Sequence, residues 1–158
     1  MGTRRNPAKY NPAKYYKGLT RKQKAIRYNE IKSHAKRNFT KKRAYTPFYT
    51  DTLAKTKPSS YTMVWNKLFP DAKSLDERAK VTGVPKRFLQ ESYNRGMAAW
   101  RTGHRPGATQ QQWSYPRVSS MLLCGKTYYT ADSDIVERAK KASKTAKKWF
   151  SRCKTRKN

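Results

Sequence analysis

Positive charge in this chain is segregated, and that constrains the fold more than any motif does. Residues 1–70 hold 18 Lys and Arg against 2 acids, residues 71–137 hold 10 against 7, and residues 138–158 hold 10 against none. The segments therefore carry +16, +3 and +10, summing to the formal net charge of +29. Only the middle is balanced as a self-contained globule would be. The flanks cannot neutralise each other, and self-repulsion on this scale disfavours a compact chain without an anionic partner. Nucleic acid, an acidic protein surface and anionic lipid headgroups all fit that description. Hydrophobic residues are 35% of the chain, enough for one small core and too few for a large two-domain enzyme. The longest apolar runs, Met97–Trp100 and Met121–Cys124, fall far short of the roughly 20 residues of a membrane span. No secretory h-region follows Met1. Cys124 and Cys153 do not make a disulfide framework, so a reducing compartment is the default reading, with a single bridge left open.

The first 58 residues read as a basic, Tyr- and Pro-containing arm and linker with one helix. The pentapeptide Asn-Pro-Ala-Lys-Tyr occurs in tandem at Asn6–Tyr10 and Asn11–Tyr15. Pro7 and Pro12 push the preceding asparagines out of the α region, which predicts an extended arm. Its Lys9, Tyr10, Lys14, Tyr15 and Tyr16 are the candidate contacts to a partner, combining cations with flat amphipathic rings. A helix is predicted from about Leu19 to Lys36, capped by Thr20, with Ile26, Ile31 and Ala35 as a thin apolar stripe. Residues 37–58 read as an irregular linker anchored by Tyr45, Phe48 and Tyr49.

Residues 59–151 read as a compact helical domain, followed by a basic tail at 152–158. Tyr61, Val64, Trp65, Leu68 and Phe69 have helical spacing, closed by Pro70. Ser74 and Glu77 form a capping box opening a helix at 75–82, with Gly83 at its C′ position. Pro85 opens the next helix, about 85–102. Thr109 and Gln112 form a second capping box, and Pro116 predicts a kink or a late start in the helix that follows. Lys126–Thr130 reads as a strand or an extended run. A final helix, 133–151, places Ile135, Ala139, Ala142, Ala146, Trp149 and Phe150 on one face. The expected fold is mainly α: a small bundle of four to five helices with an extended basic N-terminal arm.

Leu75–Leu89 has the spacing of a helix-turn-helix corner, and Lys86, Arg87 and Gln90 would lie where such a corner reads DNA. An ordinary helical corner has the same pattern. Asp132, Asp134 and Glu137 could ligate a hard cation, but acids at a helix start more simply cap it. His34, His104, Cys124 and Cys153 lack zinc spacing. His104, in the loop Thr102–Gly107, has no partner acid nearby in sequence, so a hydrogen bond stapling the loop is the simpler role. No catalytic set stands out. No enzyme activity, cofactor, metal or small-molecule substrate is therefore expected.

The string Arg95–Trp113, RGMAAWRTGHRPGATQQQW, resembles a domain of unknown function that recurs in chloroviruses, other nucleocytoplasmic large DNA viruses and some marine phages. The likeness extends through Val118, Ser119 and Cys124–Thr127 to Asp132–Asp134, and covers about residues 80–150. Pro116 departs from the family's usual Ala. The resemblance implies origin in a large double-stranded DNA virus and no assigned catalysis. In such particles, small basic proteins of this kind are minor capsid components between the capsomers and the inner membrane. On that basis the expected function is a minor capsid (cement) protein of the virion, made in the host cell. Its expected partners are the major capsid protein and other minor capsid proteins. The arm residues and an exposed loop of Arg101, His104, Arg105, Gln110, Gln111 and Gln112 would make the contacts. The alternative is a virion DNA-packaging protein using Lys86, Arg87, Lys144, Lys147 and Lys148, and the anionic inner membrane is a further candidate surface.

Overall fold

A computed structural model describes residues 12–37 and 41–154. The first pentapeptide copy, with Lys9 and Tyr10, lies outside the described residues. The described residues are 68% helix and contain no strand. The described residues form eight α-helices: α1 (Arg21–Ala35), α2 (Ser60–Leu68), α3 (Leu75–Thr82), α4 (Lys86–Thr102), α5 (Gln110–Leu122), α6 (Lys126–Tyr129), α7 (Ser133–Ala142) and α8 (Lys144–Phe150). The mainly helical class is as expected, but the count exceeds four to five. The chain divides into two compact units, one of residues 1–57 and 97–113 and the other of 58–96 and 114–158.

The excess helices have local causes. The predicted 133–151 helix breaks at Ser143, which is extended (φ −144°, ψ 124°) and accepts the Ala146 N–H at its Oγ, starting α8 as a separate helix. Such a cap satisfies an orphan donor that a continuous helix would not have. Lys126–Tyr129 forms one helical turn instead of a strand. The Thr127 N–H donates to Ser120 Oγ and its carbonyl accepts from Asp132 N. No neighbouring strand competes for these groups. Helix α5 starts at Gln110 and continues through Pro116, so the predicted late start does not occur.

In the second unit, the capped start and the glycine end of α3 are as predicted. Ser74 and Glu77 make the reciprocal box, and Gly83 ends α3 at φ 76°, the left-handed conformation glycine adopts without a steric cost. A Cβ at Gly83 would also press on Thr145 Cβ at 2.8 Å. The core gathers Trp65, Val84, Leu89, Val118, Met121, Leu122, Ile135, Ala139, Ala146 and Phe150. Its indoles bury without leaving a donor unsatisfied. Trp65 Nε1 donates to Ala72 O at 2.7 Å and Trp149 Nε1 to Leu122 O at 2.9 Å. Arg78 is buried between the Trp65 and Tyr115 rings, 4.8 Å from each centroid, and donates to Ser119 Oγ and Lys73 O. Burial lowers its pKa to about 10, with Tyr115 opposing. Cys124 and Cys153 are joined by a disulfide, which ties the end of α8 to the end of α5 and settles the pairing left open by the sequence.

In the first unit the second pentapeptide copy is not a free extended arm. Ala13–Tyr16 forms a 3-10 turn, Tyr16 is buried and Tyr15 is half-buried. Tyr15 leans on Gly103, where a Cβ would collide with its ring, and meets Trp113 edge-on at 6.1 Å. Thr20 and Gln23 cap α1 reciprocally. Its buried face is not the predicted stripe. Arg27, Ile31 and His34 are inside, while Ile26 and Ala35 are exposed. Of the linker anchors, Phe48 is buried and Tyr49 is 63% exposed.

Candidate functional site

His104, singled out from sequence, sits in the first unit against an acid that sequence spacing did not reveal. Glu30 and Asp51 are the only acids among the first 70 residues, and both are used internally. Glu30 accepts the N–H groups of Tyr49 (2.6 Å) and Thr50 (3.2 Å), fixing the short 3-10 turn Tyr49–Leu53 against α1. That turn presents Asp51 to Arg27 and His104.

Arg27 is fully buried, and all three guanidinium nitrogens are used. Nε donates to Tyr15 O (2.9 Å), Nη1 to Thr50 Oγ1 and Asp51 Oδ1 (2.9 Å each), and Nη2 to His104 O. A rigid fork of five N–H donors suits such divergent acceptors in a way an ammonium does not. The guanidinium also lies 4.8 Å above the Phe48 ring.

His104 is fully buried, stacked on Trp100 at 4.4 Å with 10° between planes. Nδ1 donates to Trp100 O (2.8 Å) and Nε2 to Asp51 Oδ2 (2.8 Å). Both ring nitrogens face oxygen acceptors. Asp51 additionally accepts the N–H groups of Phe48 and Gly107 (2.9 Å each). Burial pushes the Asp51 carboxyl upward. The His104 hydrogen bond, the His104 and Arg27 charges and the Gly107 N–H outweigh it, leaving a net pKa below the ordinary value. Gly107 is left-handed (φ 85°), and a Cβ there would overlap the Ala54 carbonyl oxygen.

This geometry corrects the reading of 101–112 as an exposed loop. Arg101 is half-buried and donates to Arg37 O, and Arg105 is half-buried over the Trp113 ring at 5.6 Å. Gln110 donates to Tyr45 O at 2.6 Å. Gln112 closes the predicted capping box with Thr109. Gln111 and Gln112 remain exposed. His104 does staple the loop, with an acid 53 residues away in sequence. Arg27 and Asp51 were missed by spacing. The available signal was scarcity: an acid in a field of cations is a natural internal counter-charge.

In the second unit the three acids at the start of α7 are ion-paired. Asp132, fully buried, accepts from Ser92 Oγ (2.7 Å) and Arg117 Nη2 (2.8 Å) and makes no side-chain cap. Asp134 pairs with Arg95 at 2.7 Å, the first cause holding its carboxyl well below the usual range, and Glu137 pairs with Lys140. Among the described residues no cluster of three or more His, Cys, Asp or Glu could hold a metal ion. Lys86 is exposed and paired with Asp76 at 3.0 Å, and Arg87 is exposed with its guanidinium over Phe88. Lys144, Lys147 and Lys148 are exposed at i, i+3 and i+4, one face of α8, and none has an ion-pair partner among the described residues. No helix of the described residues is long and apolar enough to cross a membrane.

No curated protein and no solved structure matches the chain. One family matches over residues 12–140, a span that includes the Arg27–Asp51–His104 network and most of both units. The chain belongs to that family, a family of unknown function (DUF5824).

Proposed function

We propose that the protein is a structural, non-enzymatic component of a virion: a minor capsid protein of a large double-stranded DNA virus that docks its cationic faces on anionic surfaces of neighbouring capsid proteins. The observation that carries this reading is where the charges lie. The residues that most resemble catalytic groups, His104, Asp51 and Arg27, satisfy one another inside the first unit, while exposed cations such as Lys144, Lys147 and Lys148 face outward without acids. Such a surface binds by charge neutralisation, and several such contacts raise avidity through effective concentration. The likeness of Arg95–Trp113 to a viral domain supplies the virion context.

The unpaired lysine face of α8 also favours a second reading, a virion protein that coats DNA. Fractionating purified particles into shell, membrane and DNA core at low and high salt separates the two. Retention in the shell at high salt supports the capsid role. Release with the genome, weakening steeply as salt rises, overturns it in favour of DNA coating.

A further inference from the structure

The acids of the first unit are Glu30 and Asp51. Both are committed inside it, Glu30 to the Tyr49 and Thr50 N–H groups and Asp51 to Arg27 and His104. Cations on the surface of this unit therefore meet no acid of their own unit, and α1 collects several of them on one face. At about 100° per residue, Arg21, Lys22, Asn29 and Lys32, with Lys36 at the C-cap, fall within an arc of about 100°. All five are exposed, while Arg27, Ile31 and His34 on the opposite side are buried. None of the four cations has an ion-pair partner among the described residues. The Arg27 fork holds the inner side in place, so the outer face is carried on a rigid element.

Along the axis the charges sit at the two ends. Lys22 and Lys32 are ten residues apart, which is about 15 Å of helix. Between them on this face lie Ala25 and Asn29, both exposed and uncharged. Three kinds of anionic surface attract cations, and the composition of the face separates them. A lipid surface calls for a broad apolar side beneath the cations, whereas the one exposed large apolar side chain of α1 is Ile26, at the edge of the arc. A protein interface calls for a core of aromatic or other large side chains, and the centre of this face is Ala25 and Asn29. Duplex DNA carries its charge in two rows flanking a groove. The B-form major groove, about 12 Å wide, admits an α-helix, and cations at both ends of a slim, uncharged centre match that shape. The deep, narrow major groove of A-form RNA does not admit one. Asparagine is also a side chain that reads a base edge, pairing with adenine N6 and N7.

We propose that α1 is a DNA-binding helix: it lies in the major groove of a B-form duplex, with Arg21 and Lys22 on the phosphates of one strand, Lys32 and Lys36 on those of the other, and Asn29 toward the base edges. This surface is separate from the α3–α4 corner and from the lysine face of α8, and the inference does not rest on the capsid reading.

The test is a fluorescence-anisotropy titration of a labelled short duplex with the full chain over a range of salt concentrations. Two variants are compared with wild type. Arg21→Gln/Lys22→Gln/Lys32→Gln/Lys36→Gln removes the charges at nearly equal helix propensity. Ala25→Phe keeps every charge and places a ring at the centre of the face. Matching melting curves confirm both folds. In the quadruple variant the slope of log K against log salt should fall by about 3–4, at about 0.9 per lost phosphate contact. Ala25→Phe should weaken binding at least tenfold, and the Asn29 side-chain amide resonance of wild type should shift when duplex is added. An unchanged slope, wild-type affinity in Ala25→Phe or an unmoved Asn29 amide overturns the inference, as does a wild-type chain that binds no duplex. Poly-glutamate bound as tightly as the duplex also overturns it and assigns the face to an acidic protein surface. Particle fractionation reads where the protein resides and this titration reads the purified chain, so the two readings fall separately.

Discussion

Replacing Arg27 by Lys keeps the buried charge and removes the fork, which makes it the sharpest test of the network. Arg27 donates to four acceptors in different directions: Tyr15 O, Thr50 Oγ1, Asp51 Oδ1 and His104 O. A lysine ammonium that keeps Asp51 abandons the Tyr15 and His104 carbonyls. Each buried acceptor left unsatisfied costs about 1–3 kcal/mol, so the variant should lose roughly 3 kcal/mol of local stability. That corresponds to about 150-fold faster opening by population. Amide hydrogen exchange at Phe48, Thr50 and Gly107 reads it directly, because their N–H groups donate to Asp51 or Glu30. Charge alone would be preserved in this variant. Protection within threefold of wild type would therefore show that the carbonyl contacts are dispensable and that the network is only an ion pair, refuting the fork argument.

Protonation gives a separate handle. His34 is held neutral with its pKa lowered to about 4 from 6.5, so below 6.5 the unfolded chain binds a proton that the folded chain resists. Stability of the first unit is then full above pH 6.5 and falls as the pH drops toward 4, by up to about 3 kcal/mol. Urea midpoints at pH 7.5 and 4.5 should show the loss in wild type and much less of it in His34→Leu; equal slopes reject the assignment. Asp51 acts in another window, since its depressed pKa gives stability that is present above about pH 4 and lost below it. Gly107→Ala places a Cβ at φ 85° against the Ala54 carbonyl. It should cost more than about 2 kcal/mol in thermal melts, against a few tenths for an unstrained glycine site. Cys153→Ser removes a bridge across a sequence separation of 29. The chain-entropy estimate is about 3.5 kcal/mol, and reductant should reproduce the loss in wild type while leaving the variant unchanged.

What the sequence revealed was local. The Ser74–Glu77 and Thr109–Gln112 boxes, the Thr20 cap and Gly83 are each defined within a few residues, and each is where spacing put it. Chain-distant pairings were not legible. Nothing near His104 names Asp51, and a helix face containing Arg27 and His34 looks polar by periodicity although it is the buried one. The same blindness over-read α2. Its spacing is helical, and the helix forms. Yet only Trp65 is buried, because Val64 and Leu68 face outward. Ser143 illustrates a third limit. A cap inside a long amphipathic pattern is invisible to periodicity, because the residues on either side keep the apolar phase.

The acids show why the charge imbalance matters for what this fold can do. There are nine in the chain. Glu30 and Asp51 hold the 48–51 segment, and Glu77 caps α3. Asp76, Glu91, Asp132, Asp134 and Glu137 pair with cations of their own unit. Among the described residues only Asp71 shows no such contact. Nearly all the acids are therefore engaged within their own unit, some buried and some in exposed ion pairs, and few remain for the Lys and Arg beyond those pairs among the described residues. Adding exposed acids opposite the lysines of α8 would relieve self-repulsion. The sequence does not do so, although residues 138–158 contain ten cations. An uncompensated face of that kind is destabilising in isolation and favourable only against a negative surface, and that asymmetry is the physical reason to look for this protein's function in what it docks on.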